Sequence, residues 1–308
     1  MQTLSTSHWR YRRLTHMPRP VLESVPYERR RSHPASSSRV ATAGCSDAAL
    51  WQICPMADSE PEVLRGKTFK SRSVRGSRFV GCDLGDVVIR GSDVAGMEID
   101  SPWLLEGDSS LLVNGVNVVP LVDAELNRRF PGRELRTAGD PEGLRAAWAA
   151  LERTWAATLD RAIAMPAGTI DASIDGEWSL AETLRHLVMA IDTWLGKGIL
   201  GQAQPYHPAG LPNDDHESDA YDKGVFSAPA PSFAEVVQAR GDRQAKVRQF
   251  LAAVTSEDLA HPRDNPHAPD YEETVLSCLR TILEEEWEHH RYAVRDLDAI
   301  AAARQADE

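Results

Sequence analysis

Residues 178–187 read WSLAETLRHL, and this stretch combines a helix start with the first part of an apolar stripe. Ser179 and Glu182 have the spacing of a capping box, in which each side chain bonds the backbone N–H of the other residue. The apolar side chains that follow at helical spacing are Leu180, Leu184, Leu187, Ile191, Trp194 and Ile199. The stretch therefore predicts an amphipathic helix that buries one face.

Two further segments show a start signal followed by an apolar stripe, and a third shows the stripe alone. Residues 140–165 begin with an Asp-Pro N-cap and end before a proline, and a Ser-x-x-Glu capping box opens another helix at residue 232. The last stripe extends over residues 272–303. Four amphipathic helices of this length predict an all-α four-helix bundle over residues 140–304, with a long connection at 201–231.

The sequence before the helices shows a different spacing of apolar residues. Large apolar side chains recur at every fifth position, namely Phe69, Val74, Phe79, Leu84, Ile89, Val94 and Ile99. A five-residue period fits neither a helix nor a strand, and it resembles the pentapeptide-repeat family. That resemblance implies a short right-handed β-solenoid of fewer than two turns, which must lean on another structure. Chance spacing in an irregular β segment is the alternative.

The remaining boundaries follow from turn signals. Asn114-Gly115 between apolar arms predicts a hairpin that caps the solenoid, so the repeat domain is expected over residues 56–120. A short helix and linker are expected over residues 121–139.

Charge is distributed unevenly. The formal net charge is −12, yet residues 1–55 carry eight arginines and three acids, a local +5, which leaves −17 for the rest. We predict that residues 1–55 are a disordered leader. An organelle transit peptide is one interpretation, and translation from Met56 is the favoured one. An acidic body argues against nucleic-acid binding, because phosphate recognition needs a basic surface.

Four scattered cysteines without a CxxC pair predict no disulfide framework. No apolar run approaches the ~20 residues that a membrane span needs. We therefore expect a cytoplasmic protein that does not bind membranes.

The last helix contains EEEWEHHR at residues 284–291. Glu286 and His290 follow the phase of the apolar stripe, so they are expected to face the bundle, whereas Glu285 and His289 are expected on the outer face. A carboxylate and an imidazole one turn apart can chelate a metal ion. His186 lies beside the stripe of the WSLAETLRHL helix and could be a third ligand. The alternative is that His186 is a core histidine and that Glu286 and His290 bond to each other or to an arginine.

The two helical motifs also carry a resemblance. Residues 178–187 resemble the helix-two signature of the DinB-like superfamily, whose final histidine is a metal ligand. The usual His-x-x-x-His of its fourth helix appears here with glutamate first, at Glu286 and His290, as in the mycothiol-dependent maleylpyruvate isomerase branch. The resemblance covers roughly residues 140–304. It implies His186, Glu286 and His290 as ligands.

The implied chemistry is activation of a nucleophile by a divalent metal, zinc or alternatively nickel, with one coordination position open. We expect a thiol-dependent S-transferase or isomerase that uses a low-molecular-weight thiol and a small electrophile, with Trp178 and Trp194 as pocket walls. Hydrolysis by a bound water is a second possibility. The rival hypothesis is a non-catalytic interaction module, assembled through the pentapeptide segment and capable of forming a homodimer.

Overall fold

A computed structural model of the chain describes residues 64–105, 109–212, 222–226, 229–268 and 270–307. The predicted leader and the predicted start at Met56 lie outside these residues. The chain divides into two compact units, of which one ends at Arg78 and the other contains residues 79–308. Each unit is described by itself.

The described part of the first unit, residues 64–78, shows the five-residue period in its backbone. The φ angle is positive at Gly66, Ser71 and Gly76. Hydrogen-bonded turns join the Lys67 N–H to the carbonyl of Leu64 and the Ser77 N–H to that of Val74.

The same local conformation continues at the start of the second unit. Positive φ angles recur at Gly81, Asp86, Gly91 and Gly96. No β-strand is formed within residues 64–100, and the apolar series is 51–64% exposed. The five-residue repeat is thus present in the backbone, whereas the β-solenoid stays a prediction.

The hairpin predicted after the repeat is present. Strand β1 (Leu112–Val113) pairs antiparallel with β2 (Val116–Asn117). Asn114 and Gly115 between them both have positive φ, at 50° and 82°, which the type I′ turn requires.

A short helix α1 (Val119–Arg129) follows, and a 3₁₀ turn (Arg133–Thr137) leads to the main helices. Gly132 between them has a φ of 97°, and a Cβ at this position would lie 2.8 Å from the Ala150 side chain. A larger residue at position 132 could not be accommodated without displacing the long helix that contains Ala150.

Three of the four long helices begin at the predicted caps. Helix α2 spans Pro141–Ala164, α3 Leu180–Ile191, α4 Phe233–Ala253 and α6 Val275–Asp307, with a short α5 at Ser256–Leu259. Asp140 accepts hydrogen bonds from the first turn of α2. Both predicted capping boxes, at Ser179 and Ser232, are formed.

These helices pack as the sequence pattern predicts. Helices α2 and α3 each contact both α4 and α6, which is the arrangement of a four-helix bundle. Its core contains the largest fully buried side chains, which include Leu144, Trp148, Leu151, Trp155, Leu184, Leu187, Ile282, Trp287 and Leu297.

Two departures from the predicted helices adjoin the core. The second helix changes from α to π geometry over Asp192–Ile199 rather than continuing unbroken. Helix α6 starts at Val275, because Glu272–Thr274 forms a strand (β4) paired antiparallel with Pro262–Asp264 (β3). Among the described residues, no helix has the length and apolarity to cross a membrane.

Removing a core side chain tests this packing. Leu151→Ala is expected to lower the free energy of unfolding by about 2–5 kcal/mol, because Leu151 is 0% exposed and its loss leaves a cavity. Ile163→Ala removes as many carbons from the same helix, but Ile163 is 61% exposed, so its effect should stay within about 0.5 kcal/mol. Urea denaturation followed by circular dichroism measures both. Equal losses would contradict the described orientation of α2.

Candidate metal centre

Three side chains from two helices converge in the bundle. His186 of α3 meets Glu285 and His289 of α6, and their potential ligand atoms all lie within 4.8 Å of one another. The Glu285 carboxylate oxygen Oε2 is 3.4 Å from His186 Nε2 and 3.4 Å from His289 Nδ1. The two imidazole rings are stacked with centroids 4.7 Å apart. This geometry suits a single metal ion.

Helical spacing and the contact between α3 and α6 produce the cluster. Glu285 and His289 are four residues apart, so their side chains lie on the same side of α6. His186 reaches the same place because α3 packs against α6. The His186 and His289 side chains are 8% and 2% exposed and that of Glu285 is 10% exposed, so the cluster is largely removed from solvent.

The hydrogen bonding orients His289. Its Nδ1 lies 2.8 Å from the Glu285 carbonyl oxygen. Donation to a backbone carbonyl through one ring nitrogen is the usual arrangement of a metal-ligating histidine, and it leaves Nε2 to bind the ion. For His186, Nε2 faces Glu285, whereas the buried Nδ1 has no hydrogen-bond partner among the described residues.

The protonation state of His289 also suits a ligand. Burial, followed by the neighbouring His186, lowers the pKa of His289 to about 4, despite the opposing effect of Glu285. The ring is therefore neutral at physiological pH, which is the form that coordinates metals.

An aromatic side chain covers the cluster. The Trp178 ring lies 4.8 Å from the ring of His186 and is stacked 6.2 Å from that of His289. Trp178 directly precedes the N-cap of α3, so the capping box that starts the helix also places this ring. Trp178 thus lies beside both imidazoles of the cluster, and its role as a pocket wall stays a prediction.

Glu286, expected as a ligand, is engaged elsewhere. Its carboxylate forms a bidentate ion pair with Arg240 of α4, with oxygen–nitrogen distances of 2.9 and 2.5 Å. Both side chains are almost fully buried, at 0% and 2% exposure, and the Arg240 guanidinium lies 5.1 Å from the centre of the Trp155 ring. Glu286 therefore lies in an ion pair outside the three-residue cluster, and its role as a metal ligand stays a prediction. Its bond to an arginine is the alternative that the sequence left open.

His290, the other expected ligand, also lies outside the cluster. Its Nε2 is hydrogen bonded to the Thr158 hydroxyl at 2.8 Å, and its ring packs edge-on against Trp155 and Trp287. Burial and the Arg240 charge lower the pKa of His290 to about 4. The ring of His290 is thus engaged by Thr158, and its role as a metal ligand likewise stays a prediction.

The two Glu-x-x-x-His pairs of α6 differ in their surroundings for a simple reason. The apolar stripe predicts one buried face of α6, with Glu285 and His289 on the outer face. In the structure α6 contacts both α2 and α3, so two neighbouring faces are covered and His289 and His290 are equally buried, at 2% each. Glu285-x-x-x-His289 has the same spacing as Glu286-x-x-x-His290, and this spacing is the sequence signal for the clustered pair.

The remaining candidates lie apart from the cluster. The ring of Trp194, expected as a second pocket wall, packs 5.5 Å from that of His267. Cys278 is buried, as expected of a core residue. A surface cavity of about 710 Å³ is lined by residues 197–203, 262–266 and 272, and none of the three clustered residues borders it.

The Arg240–Glu286 pair supports a stability prediction. Arg240→Met leaves a buried carboxylate without its counterion and is expected to lower the free energy of unfolding by about 3–5 kcal/mol. Adding Glu286→Leu should restore most of this loss. Arg248→Met on the same helix removes a half-exposed pair with Glu152 and should cost at most about 1 kcal/mol. A double variant no more stable than Arg240→Met alone would contradict the pairing.

Comparison with known proteins agrees with this architecture. The family model of the DinB superfamily matches residues 150–293, a range that contains all three clustered residues. Neither a curated protein nor a solved structure shows a significant match. The pentapeptide-repeat resemblance and the mycothiol-dependent branch receive no support from these comparisons and stay predictions. Residues 150–293 are thus similar to the DinB superfamily, in which metal binding is frequent.

Proposed function

We propose that the helical domain binds a divalent metal through His186, Glu285 and His289 and uses it to activate a low-molecular-weight thiol, as an S-transferase or isomerase. The observation that carries the proposal is the convergence of these three ligand atoms within 4.8 Å in a largely buried place. The match to a superfamily in which metal binding is frequent supports it.

The residues present fit such an ion. Two imidazoles and one carboxylate are the donor set of many catalytic zinc sites, which keep a fourth position open, and they also suit nickel. In His186, Nε2 faces Glu285, whereas Nδ1 is buried without a hydrogen-bond partner among the described residues. Nε2 is therefore the expected ligand atom of His186. Metal binding also compensates for the desolvation of the Glu285 carboxylate, which would otherwise be costly.

A divalent metal in this position supplies the positive charge that keeps a bound thiol or water deprotonated near neutral pH. The chain itself contributes orientation and exclusion of water. The hydrogen bond from His289 to the Glu285 carbonyl fixes one imidazole, and Trp178 covers both rings. Because an apolar side chain covers the ligands, a nucleophile bound there would be poorly solvated. This favours a sulfur nucleophile.

A second candidate function rests on the repeat. The apolar side chains at every fifth position are about half exposed, which favours an interaction module. In that case the helical domain would hold metal or a small ligand without catalysing a reaction. Measurement of thiol-conjugation activity separates the two candidate functions.

Metal content tests the ligand set. The protein purified with Zn²⁺ is expected to hold about one metal ion per chain, and His186→Ala and His289→Ala should each abolish this, because two protein ligands do not retain the ion. The Arg240→Met/Glu286→Leu variant should keep its metal. His261→Ala, which removes an exposed histidine, is the matched control.

Elemental analysis after dialysis measures the stoichiometry. Loss of metal in the double variant together with full occupancy in His289→Ala would return the assignment to Glu286 and His290. Unchanged metal content in His186→Ala would contradict both assignments.

Activity tests the chemistry. Metal-replete protein is expected to accelerate conjugation of monochlorobimane with mycothiol, bacillithiol or glutathione, because the metal raises the thiolate fraction. His289→Ala should reduce the rate to that of the reaction without protein, whereas His261→Ala should not change it. The measurement is the increase in bimane fluorescence.

Absence of turnover with every one of these thiols, in protein shown to hold metal, would contradict the transferase proposal and favour the non-catalytic module.

A further inference from the structure

A carboxylate at the end of the repeat is bound by helix α6. Asp100 accepts two hydrogen bonds from the Arg291 guanidinium, at 2.7 and 3.0 Å. One of its oxygens also lies 3.5 Å from the Arg295 guanidinium. All three residues belong to the same compact unit. Bidentate arginine–carboxylate pairs are directional as well as strong, so this contact fixes the Arg291 guanidinium, while the longer ion pair holds Arg295 nearby.

Arg291 is connected to the candidate metal centre by the side chain of Tyr292. The Arg291 and Arg295 guanidinium groups lie 4.3 and 5.0 Å from the centre of the Tyr292 ring. That ring in turn packs edge-on against His289, with centroids 6.2 Å apart. The position of Tyr292, and with it one wall beside His289, therefore depends on where the two arginines are held.

Arg295 is connected to the candidate metal centre by a separate route, through Glu177 and Trp178. Arg295 forms an ion pair with Glu177, the residue before Trp178. Trp178 packs against the rings of His186 and His289. The contacts of Asp100 thus lead along two routes to the imidazoles of the candidate centre.

Charge explains why a carboxylate is needed here. Two guanidinium groups beside one tyrosine ring repel each other. The carboxylates that face Arg291 are Asp100 and Glu288, and those that face Arg295 are Glu177, Asp296 and Asp100. Asp100 is the one that contacts both arginines among the pairs described, and it is also the one that comes from outside the helical domain.

We propose that Asp100 is a positioning residue for the candidate metal centre, which it reaches through the Arg291–Tyr292 and Arg295–Glu177–Trp178 contacts. The inference rests on the proposed metal binding and assigns the repeat segment a part in it. Groups that orient ligands from outside the coordination sphere affect metal affinity by about ten-fold or more when they are removed.

Cobalt titration of the full chain tests this role, because the visible absorption of bound Co²⁺ reports the geometry of its ligands. Asp100→Ala is expected to weaken Co²⁺ binding by up to about ten-fold, the lower end of the loss seen for groups bonded directly to a ligand, and to shift the absorption bands. Asp100→Glu keeps the carboxylate and should restore most of the affinity. Asp83→Ala is the matched control, since Asp83 lies in the same segment and its described hydrogen bond is local, to the Gly85 N–H.

The outcomes separate this inference from the proposed function. Failure of the unsubstituted protein to bind Co²⁺ overturns both. Normal binding by that protein, with the same affinity and spectrum in Asp100→Ala, overturns the positioning role alone, even if the thermal midpoint of unfolding falls. An equal loss in Asp83→Ala also overturns it, because the effect would then come from the segment's net charge.

Discussion

The buried ion pair between Arg240 and Glu286 determines how the other groups in the bundle can be arranged. A carboxylate with no exposed surface is costly unless a partner neutralises it, and the bidentate contact with Arg240 does so while joining α4 to α6. With Glu286 directed at α4, the residue before it is directed at a neighbouring element about 100° around the helix. That element is α3, and Glu285 therefore faces His186.

Much of this fold follows from local sequence signals, because the caps and stripes agree with each other. Asp140, Ser179 and Ser232 each begin a helix at the predicted residue. The β3–β4 pair was missed because neither three-residue strand shows an alternation of apolar and polar side chains. The π-helical stretch after Ile191 was missed because a change in hydrogen-bond register does not alter which side chains are apolar.

The sequence predicts the residue types of the candidate site, two histidines and one glutamate. It does not indicate which Glu-x-x-x-His pair of α6 lies beside His186. His186 was expected from its place beside an apolar stripe, and the structure places it in the cluster. The choice between the two overlapping Glu-x-x-x-His pairs depends on which faces of α6 are buried. The apolar stripe shows only the face that is covered by apolar side chains. A partner such as Arg240, which is 46 residues away, cannot be inferred from periodicity because a buried arginine resembles a surface one in sequence.

Two adjacent glutamates thereby acquire different roles from their surroundings. Glu286 is neutralised by a fixed cation, whereas Glu285 faces two imidazoles and is suited to share a metal with them. Arg240 also influences two neighbouring imidazoles: its charge contributes to the low pKa of His289, after burial and His186, and to that of His290, after burial. Arg240, which offsets the cost of burying Glu286, thus also favours the neutral form of His289, and this is the form that binds a metal.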